Sequence, residues 1–250
     1  GGLIVIAPNV QRVATGFTGR RAIVADTKCN ACHQELGTFT EDAFHAGQRN
    51  DGTTCSWCHT PNRASSGWTA QTDNMPHAIH AAAKRNVPYT WHAVSADDNF
   101  SKIKYPGVLA RCEQCHLAGT FDFAASSSAN AAGLGGDQID KRQARLVASG
   151  TLTASVALSP YVTAGTNYGA NFSYNVGTGA TVQADPTTLV LSPTVAACVA
   201  CHDSNLAISH YEVNGGSFYQ ARSVEAPRTE QGFVCHASGR VAGITEVHAR

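Results

Sequence analysis

Charge is scarce in this chain of 250 residues: 14% of the residues are charged, and 18 basic side chains balance 18 acidic ones. Such a protein lacks the basic surface that nucleic acids require and the basic clusters that hold proteins on anionic lipid. Long apolar runs are also missing, since none approaches the roughly eighteen residues that span a bilayer. We therefore expect no nucleic-acid partner and no transmembrane segment in this chain.

Methionine is rarer still, because Met75 is the only one, whereas cysteine occurs nine times and histidine eleven times. Eight of the cysteines form four copies of the pattern Cys-x-x-Cys-His. The cysteines are Cys29 and Cys32, Cys55 and Cys58, Cys112 and Cys115, and Cys198 and Cys201, and the histidines are His33, His59, His116 and His202.

This pattern is the attachment signature of c-type haem. Two thiols three residues apart add to the two vinyl groups of one haem, and the histidine that follows binds the iron. Zinc sites, thioredoxin-like redox pairs and disulfide frameworks also use paired cysteines, but none of them requires the trailing histidine. The sequence therefore predicts four haems, each attached by two thioethers.

A fifth, incomplete copy stands near the C-terminus, where Gly232 replaces the first cysteine of a motif that ends in Cys235 and His236. Cys235 can still form one thioether, and His236 can still bind the iron, so we expect a fifth haem attached at a single point. A free thiol or an empty, degenerate site is the alternative.

Six histidines lie outside the motifs: His45, His77, His80, His92, His210 and His248. Five six-coordinate haems need five further axial ligands, so the number of available histidines nearly equals the number required. With a single methionine, at most one iron could have His/Met ligation, and bis-histidine ligation with low potentials should dominate. His77 and His80 lie three residues apart on one face of a predicted helix, so we expect them to bind two different haems. His92 is the expected spare, and the spacing does not decide which distal histidine serves which haem.

The expected fold class is a multihaem cytochrome c, with mostly loops and short α-helices around covalent haems, because the porphyrins themselves supply much of the apolar interior. Residues 1–28 predict a strand segment of one or two strands that leads into the first haem site, and residues 29–250 a pentahaem cytochrome domain. A haem-free insertion rich in Ala, Ser and Gly, at about 124–195, interrupts this domain, and further strands are expected within 145–192. Helices are predicted over Pro76 to Lys84 and Gln138 to Val147.

Oxygen-bearing side chains near the motifs allow less specific predictions than the cysteines and histidines do. A ligating imidazole usually donates its second ring proton to a carbonyl or carboxylate, so Glu35, Glu113 and Asp203 are candidate acceptors, although solvated carboxylates are the preferred interpretation. The segment Asp97-Asp98-Asn99 could hold a calcium ion, but a solvated turn is the simpler interpretation.

Thioether attachment takes place outside the cytoplasm, which predicts an exported protein at the cell surface, in the outer membrane or in the extracellular space, with the periplasm less favoured. Leu3 to Ala7 is apolar but has neither the basic flank nor the length of a signal peptide. We therefore expect the sequence to be a mature chain or a fragment.

Several segments resemble the outer-membrane decahaem cytochromes of the OmcA/MtrC family. They are Phe44 to Asn50, Cys55 to Arg63, His77 to His80, Tyr105 to Gly107, Ala200 to Asp203, Asn214 to Gly216, and Gly239 and Arg240 with Val247 and His248. The resemblance implies one pentahaem domain preceded by the last strands of a β domain. It also implies that His45, His77, His80, His210 and His248 are the distal ligands, which leaves His92 spare. Gly232 and the missing second pentahaem module depart from the family pattern.

The predicted function is electron transfer, not enzymatic catalysis, through a chain of bis-histidine haems. The resemblance implies extracellular acceptors such as metal oxides and flavins, or partner cytochromes. Identical subunits are also candidate partners, because a neighbour's imidazole could complete a terminal haem and build a polymeric wire. The alternatives are a multihaem reductase with one open iron, for which the haem at Cys235 is the candidate, and a haem-bearing adhesion or scaffold protein.

Overall fold

The computed structural model describes residues 22–33, 45, 52, 55–121, 144–168, 173–174, 181–182 and 188–248. Most of the strand segment expected over residues 1–28 lies outside this part, as does the beginning of the predicted insertion, residues 124–143. At the start of the described part, Val24 forms an isolated antiparallel bridge with His116, and the first helix begins at Asp26.

The helices are short, as expected. In the described ranges they are α1 (Asp26–His33), α2 (Cys55–Cys58), α3 (Met75–His80), α4 (Pro193–Cys198), α5 (Asn205–Val213), α6 (Arg222–Glu225), α7 (Gly232–His236) and α8 (Ile244–His248), with 3-10 turns at Ala82–Lys84, Phe100–Lys102 and Cys112–Gln114. Even α5, with nine residues, is too short to persist alone in water, so these helices depend on tertiary contacts.

Local sequence explains where several helices begin. Proline lies in the first turn of both α3 and α4, where its fixed φ suits the helix and its missing N–H costs nothing. Ser204 caps α5, because its hydroxyl oxygen accepts a hydrogen bond from the N–H of Ala207 at 3.2 Å. The helix predicted over Pro76 to Lys84 is present as α3 followed by the 3-10 turn.

The strands are also short and antiparallel. The described strands are β1 (Ala64–Ser65), β2 (Trp68–Thr69), β3 (Arg145–Ala148), β4 (Ser173–Tyr174), β5 (Thr181–Val182), β6 (Leu189–Leu191) and β7 (Gln220–Ala221). They pair as β1-β2, as β3-β6-β7 and as β4-β5. Ser66 and Gly67 connect β1 to β2 with φ values of 53° and 77°, which suits a tight two-residue hairpin turn. The expectation of short helices with a few strands, including strands within 145–192, is confirmed.

The helix predicted over Gln138 to Val147 is wrong for its last three residues, because Arg145–Ala148 is strand β3. Leu146 pairs with Val190 of β6, and every residue of β3 is buried. A strand buried on both faces carries a continuous apolar run, which periodicity does not distinguish from a helix. Residues 138–143 lie outside the described part.

In the hydrophobic core, strands β3 and β6 pack on helix α4, and strand β2 packs on helix α3. One buried cluster contains Val147, Leu191, Val195, Ala196 and Val199, so α4 packs on strands β3 and β6. A second cluster is formed by Trp68, Ala78 of α3, Tyr89 and Ala200, which lies within the fourth Cys-x-x-Cys-His motif. Packing therefore connects α3, which carries His77 and His80, to the fourth motif.

Candidate haem sites

Each of the five motif histidines lies against one histidine from elsewhere in the chain. The ring centroids are 5.9 Å apart for His33 and His80, 6.3 Å for His59 and His45, 5.8 Å for His116 and His77, 5.9 Å for His202 and His248, and 6.0 Å for His236 and His210. No histidine belongs to two of these pairs. The fifth motif, which lacks its first cysteine, has a partner like the other four.

These separations suit an iron between two imidazoles. A metal–imidazole nitrogen bond is about 2 Å long and the ring centroid lies about 1 Å beyond the nitrogen, so two rings trans across one metal have centroids about 6 Å apart. In the described part of the chain, no group of three or more His, Cys, Asp or Glu side chains could hold a metal ion. A haem needs only the two axial ligands, because its porphyrin supplies the other four nitrogens.

Backbone carbonyls orient five of these ten imidazoles. Nδ1 donates a hydrogen bond to a carbonyl oxygen in His59 (to Ala70, 2.6 Å), His77 (to Asp73, 2.9 Å), His80 (to Pro76, 2.7 Å), His236 (to Ala242, 2.8 Å) and His248 (to Ile244, 2.8 Å). This leaves Nε2 as the metal-binding nitrogen and fixes the plane of each ring.

Helix α3 holds two candidate ligands at once. The acceptors for His77 and His80 are carbonyls four residues earlier, that of Asp73 just before the helix and that of Pro76 in its first turn. His77 faces His116, with ring planes only 2° apart, whereas His80 faces His33. Helix α3 thus places its two imidazoles opposite two different motifs.

His45 and His92 share a left-handed backbone, with φ values of 48° and 61°, but differ in their surroundings. The ring of His45 lies against that of His59. His92 is exposed, and its closest described ring neighbour is Trp91, with centroids 5.4 Å apart. Within the described ranges, no motif histidine makes a ring contact with His92.

The surroundings of two pairs have the shape and polarity that a porphyrin needs. Leu206, His210 and Val213 are spaced i, i+4 and i+7 on α5 and therefore share one face. Leu206 is 82% exposed and Val213 85% exposed, so two bare apolar side chains flank the imidazole. Beside His80, a cleft of about 270 Å³ is lined by Tyr105, Val108 and Leu109 among others. Apolar walls around an imidazole fit the face and edge of a haem.

Burial keeps several of these imidazoles neutral, the form that binds metals. The pKa of His116 is lowered to about 4, first by burial and then by the charges of His77 and Lys28. The pKa of His33 is lowered by burial and by His80. Burial also lowers the pKa of His202, helped by His248 and, more weakly, His236, while Asp203 opposes the shift.

Burial also raises the pKa of several cysteine thiols, and the smaller charge interactions between thiols indicate which motifs are neighbours. Burial raises the pKa of Cys29 to about 11, with smaller contributions from Cys115, Asp26 and Cys55. For Cys201 the value of about 11 also arises mainly from burial, and Cys112 contributes to it. The first motif therefore lies near the second and third, and the third lies near the fourth.

Direct contacts join the first and third motifs. The N–H of Ala25 donates to the carbonyl of Cys115 at 3.3 Å, and the N–H of Leu117 donates to the carbonyl of Ile23 at 2.9 Å. Nζ of Lys28 donates to the carbonyls of Glu113 and His116 at 2.8 and 2.6 Å. The chain on either side of the third motif is thus bonded to the segment that leads into the first.

A buried polar cluster fixes the fourth motif to the segment after α3. Arg85 donates to the carbonyls of Val199 and Ala200 at 3.0 and 2.6 Å, inside the motif. The guanidinium lies 3.3 Å from Asp203, and the two side chains are 3% and 0% exposed. Asp203 also accepts the N–H groups of Asn86 and Val87, both at 2.8 Å.

The carboxylate next to the fourth motif is thus engaged with Arg85 and backbone N–H groups, and it is neither an imidazole acceptor nor solvated. Glu113 is exposed and contributes its backbone carbonyl, while Glu35 lies outside the described part. The sequence carried no signal for Arg85, because its partners lie far along the chain.

Glu230 anchors the helix that leads into the same motif. Its carboxylate accepts hydrogen bonds from the hydroxyl of Ser192 at 2.6 Å and from the N–H groups of Thr194 and Val195 at 2.9 and 3.0 Å. These donors lie at the N-terminus of α4, where a negative charge is favourable. Glu230, which lies close to the fifth motif, therefore positions the fourth, a role that the sequence did not predict.

The segment proposed as a calcium site forms a self-contained turn. The hydroxyl of Ser95 accepts the N–H groups of Asp97 and Asp98 at 3.3 and 3.0 Å, and the side-chain amide of Asn99 donates to the carbonyls of Ser95 and Ala96 at 3.1 and 2.7 Å. Both carboxylates are exposed. This geometry favours the solvated turn over a calcium ion.

Comparisons with known proteins agree with the motif pattern. A family model described as outer membrane cytochrome MtrC/MtrF-like, domains II/IV, matches residues 21–249. Among solved structures, the outer membrane decaheme cytochrome OmcA is similar at 18% sequence identity and a TM-score of 0.42. That alignment covers 92% of this chain and 26% of the other, so this chain spans about a quarter of that protein's length. No curated protein sequence matches the chain.

Proposed function

Because the chain belongs to the MtrC/MtrF-like outer membrane cytochromes, domains II/IV, we propose that it is a pentahaem electron relay. The family match confirms the resemblance inferred from the motifs, and it supports a haem-bearing electron-transfer protein of the outer membrane. No helix in the described part of the chain is long and apolar enough to cross a membrane. The number of haems, their ligands and their partners belong to the proposal.

The observation that carries the proposal is the set of five histidine pairs. We number the haems in the order of their motifs, so that haem 1 is attached at Cys29 and Cys32 and haem 5 at Cys235. The proposed axial ligands are His33 and His80 for haem 1, His59 and His45 for haem 2, His116 and His77 for haem 3, His202 and His248 for haem 4, and His236 and His210 for haem 5. Bound there, each haem supplies one-electron redox chemistry.

The protein's own residues set ligation and spacing. Backbone carbonyls hold Nδ1 so that Nε2 can bind iron, and bis-histidine ligation favours low potentials. Helix α3 fixes haems 1 and 3 next to each other, because His77 and His80 lie three residues apart on it. The bonds of Arg85 to Val199 and Ala200 then fix the fourth motif against the segment that follows α3.

These contacts support the order 2-1-3-4-5 along the relay. The thiols of Cys55 and Cys29 interact electrostatically, and Oδ1 of Asp26 accepts the N–H of Gly52 at 2.8 Å, close to the second motif. The bonds of Lys28 join motifs one and three, and the coupling of Cys201 to Cys112 joins three and four. His236 contributes to the lowered pKa of His202, which supports haems 4 and 5 as neighbours.

The acceptors that fit this reading are extracellular metal oxides, flavins and partner cytochromes. A reductase would need one five-coordinate iron open to substrate. The pairing of His236 with His210 supports six-coordination even at the incomplete fifth motif. Since all five pairs lie within one chain, relay by a single subunit is favoured, and stacking of identical subunits into a wire is a separate proposal that electron microscopy tests.

The test uses the chain produced in a bacterium that attaches c-type haem. Intact-mass spectrometry should give the polypeptide plus five porphyrins, and visible spectra should be entirely low-spin in both redox states. Carbon monoxide added to the reduced protein should leave the spectrum unchanged. A mass with four porphyrins would refute the fifth site, and a high-spin band or carbon monoxide binding would favour the reductase.

A further inference from the structure

Lys28 belongs to the helix of the first motif, but its charge lies against the third. Its ammonium group is held by the carbonyls of Glu113 and His116, the second of which belongs to the proposed ligand of haem 3. The contacts fix the side chain at both ends, because α1 holds its backbone and the third motif holds its Nζ. A positive charge is therefore fixed beside haem 3.

No carboxylate neutralises this charge within the described ranges, where the ion pairs join Arg85 to Asp203 and Arg145 to Asp73. Two acidic residues close to Lys28 or to its hydrogen-bond partners have other surroundings: Oδ1 of Asp26 accepts the N–H of Gly52, and the side chain of Glu113 is exposed. The fourth motif differs, because the guanidinium of Arg85, which bonds to that motif, is neutralised by Asp203.

The imidazole of His116 differs from its counterparts as well. Its Nδ1 is buried and has no hydrogen-bond partner among the described residues. In the second and fifth motifs, Nδ1 of His59 and of His236 donates to a carbonyl. Donation from this nitrogen makes an imidazole a more basic ligand, which stabilises ferric iron. His116 lacks that effect.

Both features act on the reduction potential in the same direction. Reduction of a ferric haem adds one electron and lowers its net positive charge by one, so a fixed, uncompensated cation nearby favours the ferrous form. A less basic axial imidazole also stabilises ferric iron less, which raises the potential further. Lys28 and His116 are both partly buried, which reduces solvent screening of the charge.

Resting on the proposed function, we propose that Lys28 is a positioning residue that raises the reduction potential of haem 3, making it the first of the five haems to be reduced. Haem 3 lies in the middle of the order 2-1-3-4-5. An electron that enters at either end therefore rests at the junction between haems 1 and 4 before the next electron arrives.

Three substitutions separate charge from geometry. Lys28→Gln keeps an N–H donor for the two carbonyls but removes the charge, whereas Lys28→Arg keeps the charge. Lys102→Gln is the matched control, because Lys102 is exposed and lies outside all the motifs. Glu113→Lys adds a positive charge on an exposed position beside the same motif, so it provides an independent test if Lys28→Gln folds poorly.

Each variant is titrated stepwise with dithionite, and haem methyl resonances are followed by NMR to assign the potential of each haem. In the wild-type protein, haem 3 should be reduced first. Lys28→Gln should lower the midpoint of haem 3 and leave the midpoints of haems 2 and 5 in place, Glu113→Lys should raise it, and Lys28→Arg and Lys102→Gln should match the wild type.

An unchanged midpoint in Lys28→Gln, an equal drop in Lys28→Arg, or another haem reduced first would overturn the inference. The porphyrin count and the low-spin spectrum are measured on the same samples. Fewer than five porphyrins or a high-spin band would refute the pentahaem relay itself. Five low-spin haems, with a haem other than haem 3 reduced first, would refute only the role of Lys28.

Discussion

The buried pair of Arg85 and Asp203 allows a quantitative prediction. Replacing Asp203 with Asn keeps the volume but removes the charge, and it points an amide group at the N–H donors of Asn86 or Val87, which the carboxylate now accepts. Arg85 would then be buried, charged and unpaired. Breaking a buried ion pair on one side costs about 3–5 kcal/mol. For a chain of this size, about 2–4 °C per kcal/mol gives a drop of roughly 6–20 °C in the thermal midpoint.

The assay is thermal unfolding of the haem-loaded protein followed by far-UV circular dichroism. Adding Arg85→Met to Asp203→Asn should restore part of the loss, because the double substitution leaves no unpaired buried charge. The control is Asp98→Asn, at an exposed carboxylate, which should change stability by less than about 0.5 kcal/mol. The reasoning is refuted if Asp203→Asn unfolds at the temperature of the Asp98→Asn control. The porphyrin count should not change in any variant, since the thioethers are covalent.

Two further outcomes concern the ligands and the fifth motif. His248→Ala should leave the iron of haem 4 with one imidazole, giving a high-spin band and carbon monoxide binding at one haem of five, whereas His92→Ala should keep the wild-type spectrum; a high-spin haem in His92→Ala would contradict the proposed pairing. Gly232→Cys completes the fifth motif on α7, so the intact mass should still show five porphyrins while the pyridine haemochrome spectrum shifts to that of haems with two thioethers. An unshifted spectrum would mean that a thiol at 232 does not reach the vinyl group beside Cys235.

The sequence predicted the haem sites and the broad fold because both depend on local chemistry. Thioether attachment requires two thiols and an imidazole at fixed spacing, so a motif such as Cys29 to His33 can be recognised from the sequence without any structure. The spacing of His77 and His80 likewise predicted that they bind different haems, and helix α3 places them opposite two different motifs. The assignment of Arg145–Ala148 failed because a short buried strand and a buried helix share the same apolar composition.

Only the tertiary structure decided which groups from distant parts of the chain meet. The six non-motif histidines are chemically alike, so their order along the chain does not indicate that His33 faces His80 or that His202 faces His248. The contacts of Arg85 with the fourth motif, of Glu230 with α4 and of Lys28 with the carbonyl of His116 likewise join segments that are far apart in sequence. The physical reason is that attachment depends on neighbours a few residues away, whereas axial pairing, haem order and local charge depend on how the chain packs.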